Sequence, residues 1–168
     1  YITGDSLIAG TTYFVTAKFD SSTLAFISST AYAGGHSGFP STEKLAINTI
    51  THEVYFVGTK ATAAGENRDI LTIKYSQNLQ QLGIAIFPGA VYDAGTDITL
   101  DNAGNVYTLG KNQGSGGDYP VVLKYDSSLV FMASAARALS FPSLSRSHSP
   151  SKFGCSPWGT SKRSTTVA

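Results

Sequence analysis

The chain has 168 residues, of which 42% are hydrophobic and only 14% are charged, and its formal net charge is +1. This length suits one domain with a real core, and the composition is that of a globular protein and not of a fully disordered chain. Cys155 is the only cysteine, which excludes an intrachain disulfide and a cysteine-based metal site. The longest apolar runs are strand-sized, which excludes a transmembrane helix.

Residues 1–38 contain three strand-like segments, "YITG" (1–4), "FVTAKFD" (14–20) and "LAFISSTAY" (24–32). Aromatic and β-branched residues dominate them, as is typical of a pleated surface. The last segment runs into "AYAGGHSG" (31–38), where Gly34 and Gly35 predict a turn that links two strands.

The next segments are "NTITHEVYFVG" (48–58), "LTIKYS" (71–76) and "LQQLGIAIF" (79–87), followed by "DITLD" (97–101), "DNAGNVYTLG" (101–110), "YPVVLKYD" (119–126) and "LVFMASA" (129–135). In "DNAGN", Gly104 suits a left-handed turn position, and the Asp101 and Asn105 side chains suit bonds to nearby backbone amides. The turn in "NTITHE" has no glycine and is predicted to be longer or looser.

These segments repeat with a period of about fifty residues. Gly4, Gly58 and Gly110 lie 54 and 52 residues apart, and Lys18, Lys74 and Lys124 lie 56 and 50 apart. Four short strands per unit at this period indicate a β-propeller blade, whereas no 3.6-residue apolar period supports a helical solenoid. The predicted fold is therefore all-β, with blades of four antiparallel strands in an incomplete ring.

Residues 1–136 supply the last three strands of one blade and then two blades of four, about two and three-quarter blades, whereas closed propellers have 4 to 8. The chain is then a fragment of a longer propeller, or its copies assemble to close a ring, or it ends in open edges. Open edges are prone to pairing, so self-association is expected unless flanking blades are missing.

These motifs, in the order in which they follow one another along the chain, resemble the seven-bladed β-propeller repeat family, often called SBBP. The best matches are Ala31 to Gly38, Leu45 to Gly58 and Asp97 to Gly110, and the resemblance covers residues 1 to about 135. It implies a secreted or cell-surface module for protein or glycan binding or for spacing. It implies no shared catalytic residue. No cofactor is expected from the residues, with calcium as the weak alternative considered below.

Residues 137–168 differ in composition from the rest. They hold five Lys or Arg and no acid, against seven and eleven in residues 1–136. A disordered, solvated extension is the preferred interpretation. The alternatives are a basic arm for an anionic partner and a stretch of foreign origin; five charges in 32 residues are a thin patch, which argues against nucleic acid.

Several side chains are candidates for sites. Asp93, Asp97 and Asp101 are weak candidates for calcium, with turn capping preferred because no EF-hand string occurs. Lys18, Lys74 and Lys124 recur at one repeat position, which predicts a structural role within each blade or, less favoured, a lysine-lined channel. His36, His52 and His148 have no nucleophile motif near them.

The sequence thus predicts a non-catalytic, extracellular or cell-envelope propeller module that binds protein or glycan or acts as a spacer. The alternatives are a self-assembling structural protein, as a filament or ring, and a propeller-fold hydrolase or lyase.

Overall fold

The computed structural model describes residues 1–36, 44–62, 67–88, 92–114 and 117–136; the segment 137–168, with His148 and Cys155, lies outside them. All regular structure in these ranges is β-strand, so no described helix is long and apolar enough to cross a membrane. In chain order the strands are β1 (Ile2–Ile8), β2 (Thr11–Phe19), β3 (Phe26–His36), β4 (Lys44–Ile47), β5 (Val54–Thr62), β6 (Asn67–Tyr75), β7 (Gln81–Phe87), β8 (Ala94–Leu100), β9 (Val106–Gly114), β10 (Gly117–Tyr125) and β11 (Phe131–Ala136).

The strands form three antiparallel sheets in which each strand pairs with its neighbour in sequence. The N-terminal sheet has the order β1-β2-β3, the middle sheet β4-β5-β6-β7 and the C-terminal sheet β8-β9-β10-β11. The described residues close no barrel or ring. The all-β, incomplete architecture predicted from the sequence is therefore confirmed, including its count of three strands followed by four and four.

The sheets stack face to face, and the middle sheet is buried on both faces. Val54, Tyr55, Phe56 and Val57 in β5 are all fully buried. Successive residues of a strand point to opposite faces, so a continuous apolar run is what a doubly covered strand requires. The phrase "VYFVG" is thus apolar throughout because it has a neighbour on each side.

Two apolar layers fill the spaces between the sheets. The first layer, between the N-terminal and middle sheets, has Phe14 against Phe56 with ring centroids 5.3 Å apart. The second layer, between the middle and C-terminal sheets, surrounds a buried contact of 3.2 Å between the Thr72 and Thr108 hydroxyls. Burial of apolar area at about 25 cal/mol per Å² makes these layers the main stabilising contribution.

A leucine with positive φ occupies the same place in the last turn of every sheet. Leu24, Leu79 and Leu129 have φ values of 55°, 62° and 64°. Leu79 and Leu129 each insert into the apolar layer between their own sheet and the preceding sheet. They are 4% and 7% exposed, whereas Leu24 is 75% exposed. The exposed leucine belongs to the sheet that has no preceding sheet among the described residues.

The prediction that Gly34 and Gly35 form a strand-linking turn is wrong, because both residues lie within β3. Thr12 pairs with Gly35 and Tyr13 with Ala33, so Gly34 is the extra residue of a β-bulge. A Cβ at Gly34 would lie 2.3 Å from the Phe14 ring. This position is glycine because a buried aromatic ring occupies the space that a side chain would need.

The repeated glycines at the end of the "Y-x-x-G" phrase lie in strands where sheets approach each other. Gly58 in β5 and Gly110 in β9 are buried, and a Cβ at Gly110 would lie 2.3 Å from Ile70 Cδ1 and 2.9 Å from the Ala94 carbonyl oxygen. Gly4, at the same repeat position in β1, would meet nothing within 4 Å. One repeat position therefore has a steric function in one sheet and none in another.

We expect Gly110→Ala to lower the free energy of unfolding by about 1–3 kcal/mol, because the backbone oxygen of Ala94 cannot yield without moving β8. The matched control Gly4→Ala should change it by less than about 0.5 kcal/mol. Urea denaturation of both variants in dilute protein measures the difference. Equal losses in the two variants would contradict the close packing at Gly110.

Candidate functional site

A tyrosine and a lysine of one sheet hold the last turn of the next sheet. In the N-terminal sheet the Tyr1 hydroxyl and Lys18 Nζ both donate to the Gln77 carbonyl oxygen in the β6–β7 turn, at 2.8 and 3.0 Å. Lys18 Nζ also lies 5.7 Å from the Tyr1 ring centroid. We call this arrangement, two donors and one turn carbonyl, the Tyr–Lys clasp.

A second Tyr–Lys clasp joins the middle and C-terminal sheets. The Tyr55 hydroxyl and Lys74 Nζ donate to the Ser127 carbonyl oxygen in the β10–β11 turn, at 3.2 and 3.0 Å, with Nζ 5.6 Å from the Tyr55 ring centroid. Lys74 also forms an ion pair of 2.8 Å with Glu53. Burial opposes ionisation of Glu53, but hydrogen bonds from Lys74 and Thr51 outweigh it and hold the pKa of its carboxyl below the ordinary value.

The C-terminal sheet carries the donor half of a third clasp. Lys124 Nζ lies 5.2 Å from the Tyr107 ring centroid, and the Tyr107 hydroxyl donates to Asp101 at 3.1 Å. The hydrogen bond with Tyr107 raises the pKa of Lys124. Within the described residues Lys124 donates to no backbone carbonyl, since no fourth sheet follows. The three predicted lysines therefore share one place, on the face of each sheet that is directed toward the next.

The turn predicted from "DNAGN" joins β8 and β9. Asp101 Oδ1 accepts from the Ala103 and Asn105 amides at 3.0 and 2.9 Å, and Asp101 Oδ2 accepts from the Asn105 side chain at 2.8 Å. Gly104 has φ 82° and donates its N–H to the Asp101 carbonyl. These bonds hold the pKa of Asp101 below its ordinary value, the side chain of Asn105 contributing most.

The corresponding β4–β5 turn lacks glycine and uses a histidine instead. It closes from Asn48 to Glu53, one residue longer than the turn from Asp101 to Asn105, and His52 takes a positive φ of 58°. Asn48 Oδ1 accepts from the Ile50 and Thr51 amides at 2.9 and 3.1 Å. His52 is thus a turn residue, and its position follows from the extra residue of the loop.

These two turns border a cleft of about 350 Å³ on the side of the sheets where β4 and β8 end. We call it the turn cleft; it lies between the ends of β4 and β8 and the turns that follow them, and Ile50 at its rim is 82% exposed. Carboxamide, hydroxyl, carboxylate and backbone groups line it beside the apolar side chains of Ile47, Ile50 and Leu100, a mixture that suits a polyhydroxylated ligand. The lining residues include Ala46, Asn48, Thr49, Ile50, Thr99, Asp101 and Asn102.

The weak calcium candidates are not brought together. Asp93 precedes β8 and Asp101 follows it, so a seven-residue strand holds them about 25 Å apart. Asp97 is exposed, and its Oδ1 accepts from the Ile98 amide at 2.9 Å. Within the described residues no three His, Cys, Asp or Glu side chains converge to hold a metal ion.

Asp93 is a buried carboxylate with an incomplete set of partners. Its Oδ1 accepts from the Gln113 amide at 3.3 Å, while Oδ2 has no hydrogen-bond partner among the described residues. Burial first, and then the negative charge of Asp69, raise the pKa of the Asp93 carboxyl, although the Gln113 amide opposes this. Ionised Asp93 therefore costs stability in the folded chain.

Comparison of the chain with protein-family models, with curated proteins and with solved structures gives no match. The resemblance to the SBBP repeat thus continues to depend on the quoted motifs. The chain's own geometry carries the functional argument.

We expect Lys74→Met to lower the free energy of unfolding by about 1–3 kcal/mol, because it removes the bond to Ser127 and leaves Glu53 partly buried without its cation. The matched Lys124→Met variant should lose less than about 0.5 kcal/mol in dilute protein, because Lys124 reaches no other sheet. Denaturant unfolding measures both. Equal effects would show that the clasp does not couple the sheets.

The stability difference between wild type and Lys74→Met should depend on pH. The folded-state pKa of Glu53 is lowered, so its contribution to stability is complete above the unfolded value near 4.5 and is lost as the pH falls through the folded value. The stability gap between wild type and Lys74→Met should therefore narrow from pH 7 to below pH 4. A gap that is independent of pH would contradict the ion pair.

Asp93→Asn should raise the free energy of unfolding at pH 7, whereas Lys74→Met lowers it. Because the folded-state pKa of Asp93 is raised, its ionisation destabilises the protein as the pH rises through the interval above 3.8. We expect the variant to be more stable than wild type at pH 7, by on the order of 1 kcal/mol, and the gain to vanish near pH 3. The control Asp97→Asn removes an exposed charge; an equal gain there would assign the effect to net charge.

Proposed function

We propose that this chain is a non-catalytic, propeller-type repeat module of the cell surface or extracellular space that presents the turn cleft to a glycan or protein ligand. The observation that carries the proposal is the convergence of both Tyr–Lys clasps with the β4–β5, β6–β7, β8–β9 and β10–β11 turns on one strand-end side of the sheets. Rigid sheets that position loops at one end are a common basis for binding sites. The quoted resemblance to the SBBP repeat supports the propeller assignment and the location.

The composition of the turn cleft favours a glycan. Asn48, Asn102 and Thr49 offer amide and hydroxyl groups of the kind that bond sugar hydroxyls, and Ile50 offers an apolar contact for a sugar face. The cleft volume of about 350 Å³ lies at the lower end of the usual range for small-ligand sites. A ligand of one or two sugar units fits this size.

The clasps support the spacing function. Each fixes one sheet to the next by two charge-assisted or hydroxyl bonds to a single carbonyl, beside a continuous apolar layer. Sheets fixed in this way form a rigid unit that holds its two ends at a constant separation. The self-assembling alternative is favoured by one specific observation, the exposed leucine of the first sheet, which is considered below.

Incubation with insoluble polysaccharides tests the binding function. We expect the wild-type chain to be retained on at least one polysaccharide and released by its soluble oligosaccharide, without production of reducing ends. Ile50→Asp should weaken retention about ten-fold or more by placing a charge at the rim of the cleft. The matched control Ile8→Asp, an exposed position at the opposite strand ends, should bind as wild type does. Steady release of reducing ends would favour the hydrolase or lyase alternative, and absence of retention would overturn the glycan ligand.

A further inference from the structure

The two junctions between sheets are built from one set of parts. The earlier sheet contributes a tyrosine and a lysine on its forward face, and the later sheet contributes a turn carbonyl and a leucine with positive φ. The acceptor turns are Ser76–Gln80 and Asp126–Val130, each closed by its own first side chain. A further sheet packed against either outer face of the three sheets would meet either the tyrosine and lysine donors or the turn carbonyl and leucine.

The forward face of the C-terminal sheet is a complete donor half. Tyr107 pairs with Lys124 and Leu109 with Val122 in register, as Tyr55 pairs with Lys74 and Val57 with Thr72 in the middle sheet. Val57 and Thr72 are fully buried under the next sheet, whereas Leu109 and Val122 are 40% and 39% exposed. The face thus has the same layout as a covered face but is open within the described residues.

The N-terminal sheet offers an acceptor turn of the same kind, although with three strands it has no counterpart of β8. Its last turn closes from Asp20 to Ala25, and Asp20 Oδ1 accepts from the Ser22 and Thr23 amides at 3.0 and 2.8 Å, as Asp126 accepts from Ser128 at 2.8 Å. Ser21 stands where Gln77 and Ser127 stand, one residue after the capping side chain. Leu24 already has the positive φ of Leu79 and Leu129.

The aromatic support of this turn is also repeated. Phe19 and Phe26 make an edge contact with centroids 5.8 Å apart, which corresponds to the contact of 5.9 Å between Tyr125 and Phe131 in the C-terminal sheet. The Asp20–Ala25 turn is therefore supported in the same way as the Asp126–Val130 turn, which contacts the middle sheet. It is one residue longer, and Thr23 is the added residue.

We propose that the chain binds a second copy of itself head to tail, with the Asp20–Ala25 turn of one copy seated on the Tyr107–Lys124 face of the other. Leu24 enters the space beside Lys124 and Ala133, as Leu129 lies beside Lys74 and Gly83, and the Ser21 carbonyl accepts from Lys124 and Tyr107. This junction reproduces the second Tyr–Lys clasp between molecules. The proposal goes beyond the binding module and does not depend on its ligand.

The junction is heterologous, because its two halves lie on opposite ends of one copy. Heterologous contacts close into a ring where the rotation permits and otherwise continue as a filament. Two copies hold six of these sheets, which lies within the range of 4 to 8 seen in closed propellers. A closed pair leaves no donor or acceptor half exposed.

Sedimentation velocity of the full chain from low to high micromolar concentration is the test. We expect wild type to associate reversibly, and Leu24→Asp and Lys124→Glu each to weaken association at least about ten-fold, since each places a charge in the junction. Both side chains are on the surface, so both variants should keep the wild-type far-UV circular dichroism spectrum. Ile50→Asp, at the turn cleft, is the control and should associate as wild type does.

A mixture of the two variants gives the decisive result. Leu24→Asp keeps an intact donor face and Lys124→Glu keeps an intact acceptor turn, so an equimolar mixture should form pairs and nothing larger. Association of each variant alone at wild-type strength would assign the contact to open strand edges and overturn the proposal. Monomers of wild type at every concentration would also overturn it, and retention on polysaccharide by such monomers would leave the binding module intact.

Discussion

Each sheet of this chain carries apolar side chains on both faces, and only a neighbouring sheet on each side can remove them from water. Everything else in the structure follows from this constraint. The middle sheet satisfies it, so residues 54–58 and 70–73 in its two central strands are buried. The outer sheets satisfy it on one face only, which explains why the large exposed apolar side chains include Leu24, Leu109 and Val122.

The Tyr–Lys clasp adds direction to this non-directional force. Apolar layers tolerate sliding and rotation, whereas two donors aimed at one carbonyl fix where the next turn must lie. The lysine ammonium lies over the tyrosine ring, and it pairs with a nearby carboxylate where one is present, as at Glu53. Such a device uses backbone as its acceptor, so the turn that it holds is free to vary in sequence, as "SQNL" and "DSSL" do.

The repeat, the strand count and the place of the three lysines could be predicted from the sequence because each depends on local pattern and period. The use of those lysines could not, because their acceptors, Gln77 and Ser127, lie more than fifty residues away and are backbone atoms without a sequence signal. The prediction of a turn at Gly34 is wrong for a similar reason: glycine suits a turn and a bulge equally, and the Phe14 ring that decides between them is twenty residues distant. The positive φ of Leu24, Leu79 and Leu129 was invisible because leucine is not a residue that predicts it.

The conformation of the leucine turns also lowers the free-energy cost of association. A left-handed conformation costs a non-glycine residue roughly 1–2 kcal/mol, which Leu79 and Leu129 recover by burial in the layer they enter. Leu24 holds the same conformation while exposed to solvent, so its turn has been ordered before any partner arrives. Preorganisation of this kind reduces the entropy lost on binding, and the first sheet is therefore shaped in advance for a surface that the last sheet of the same chain provides.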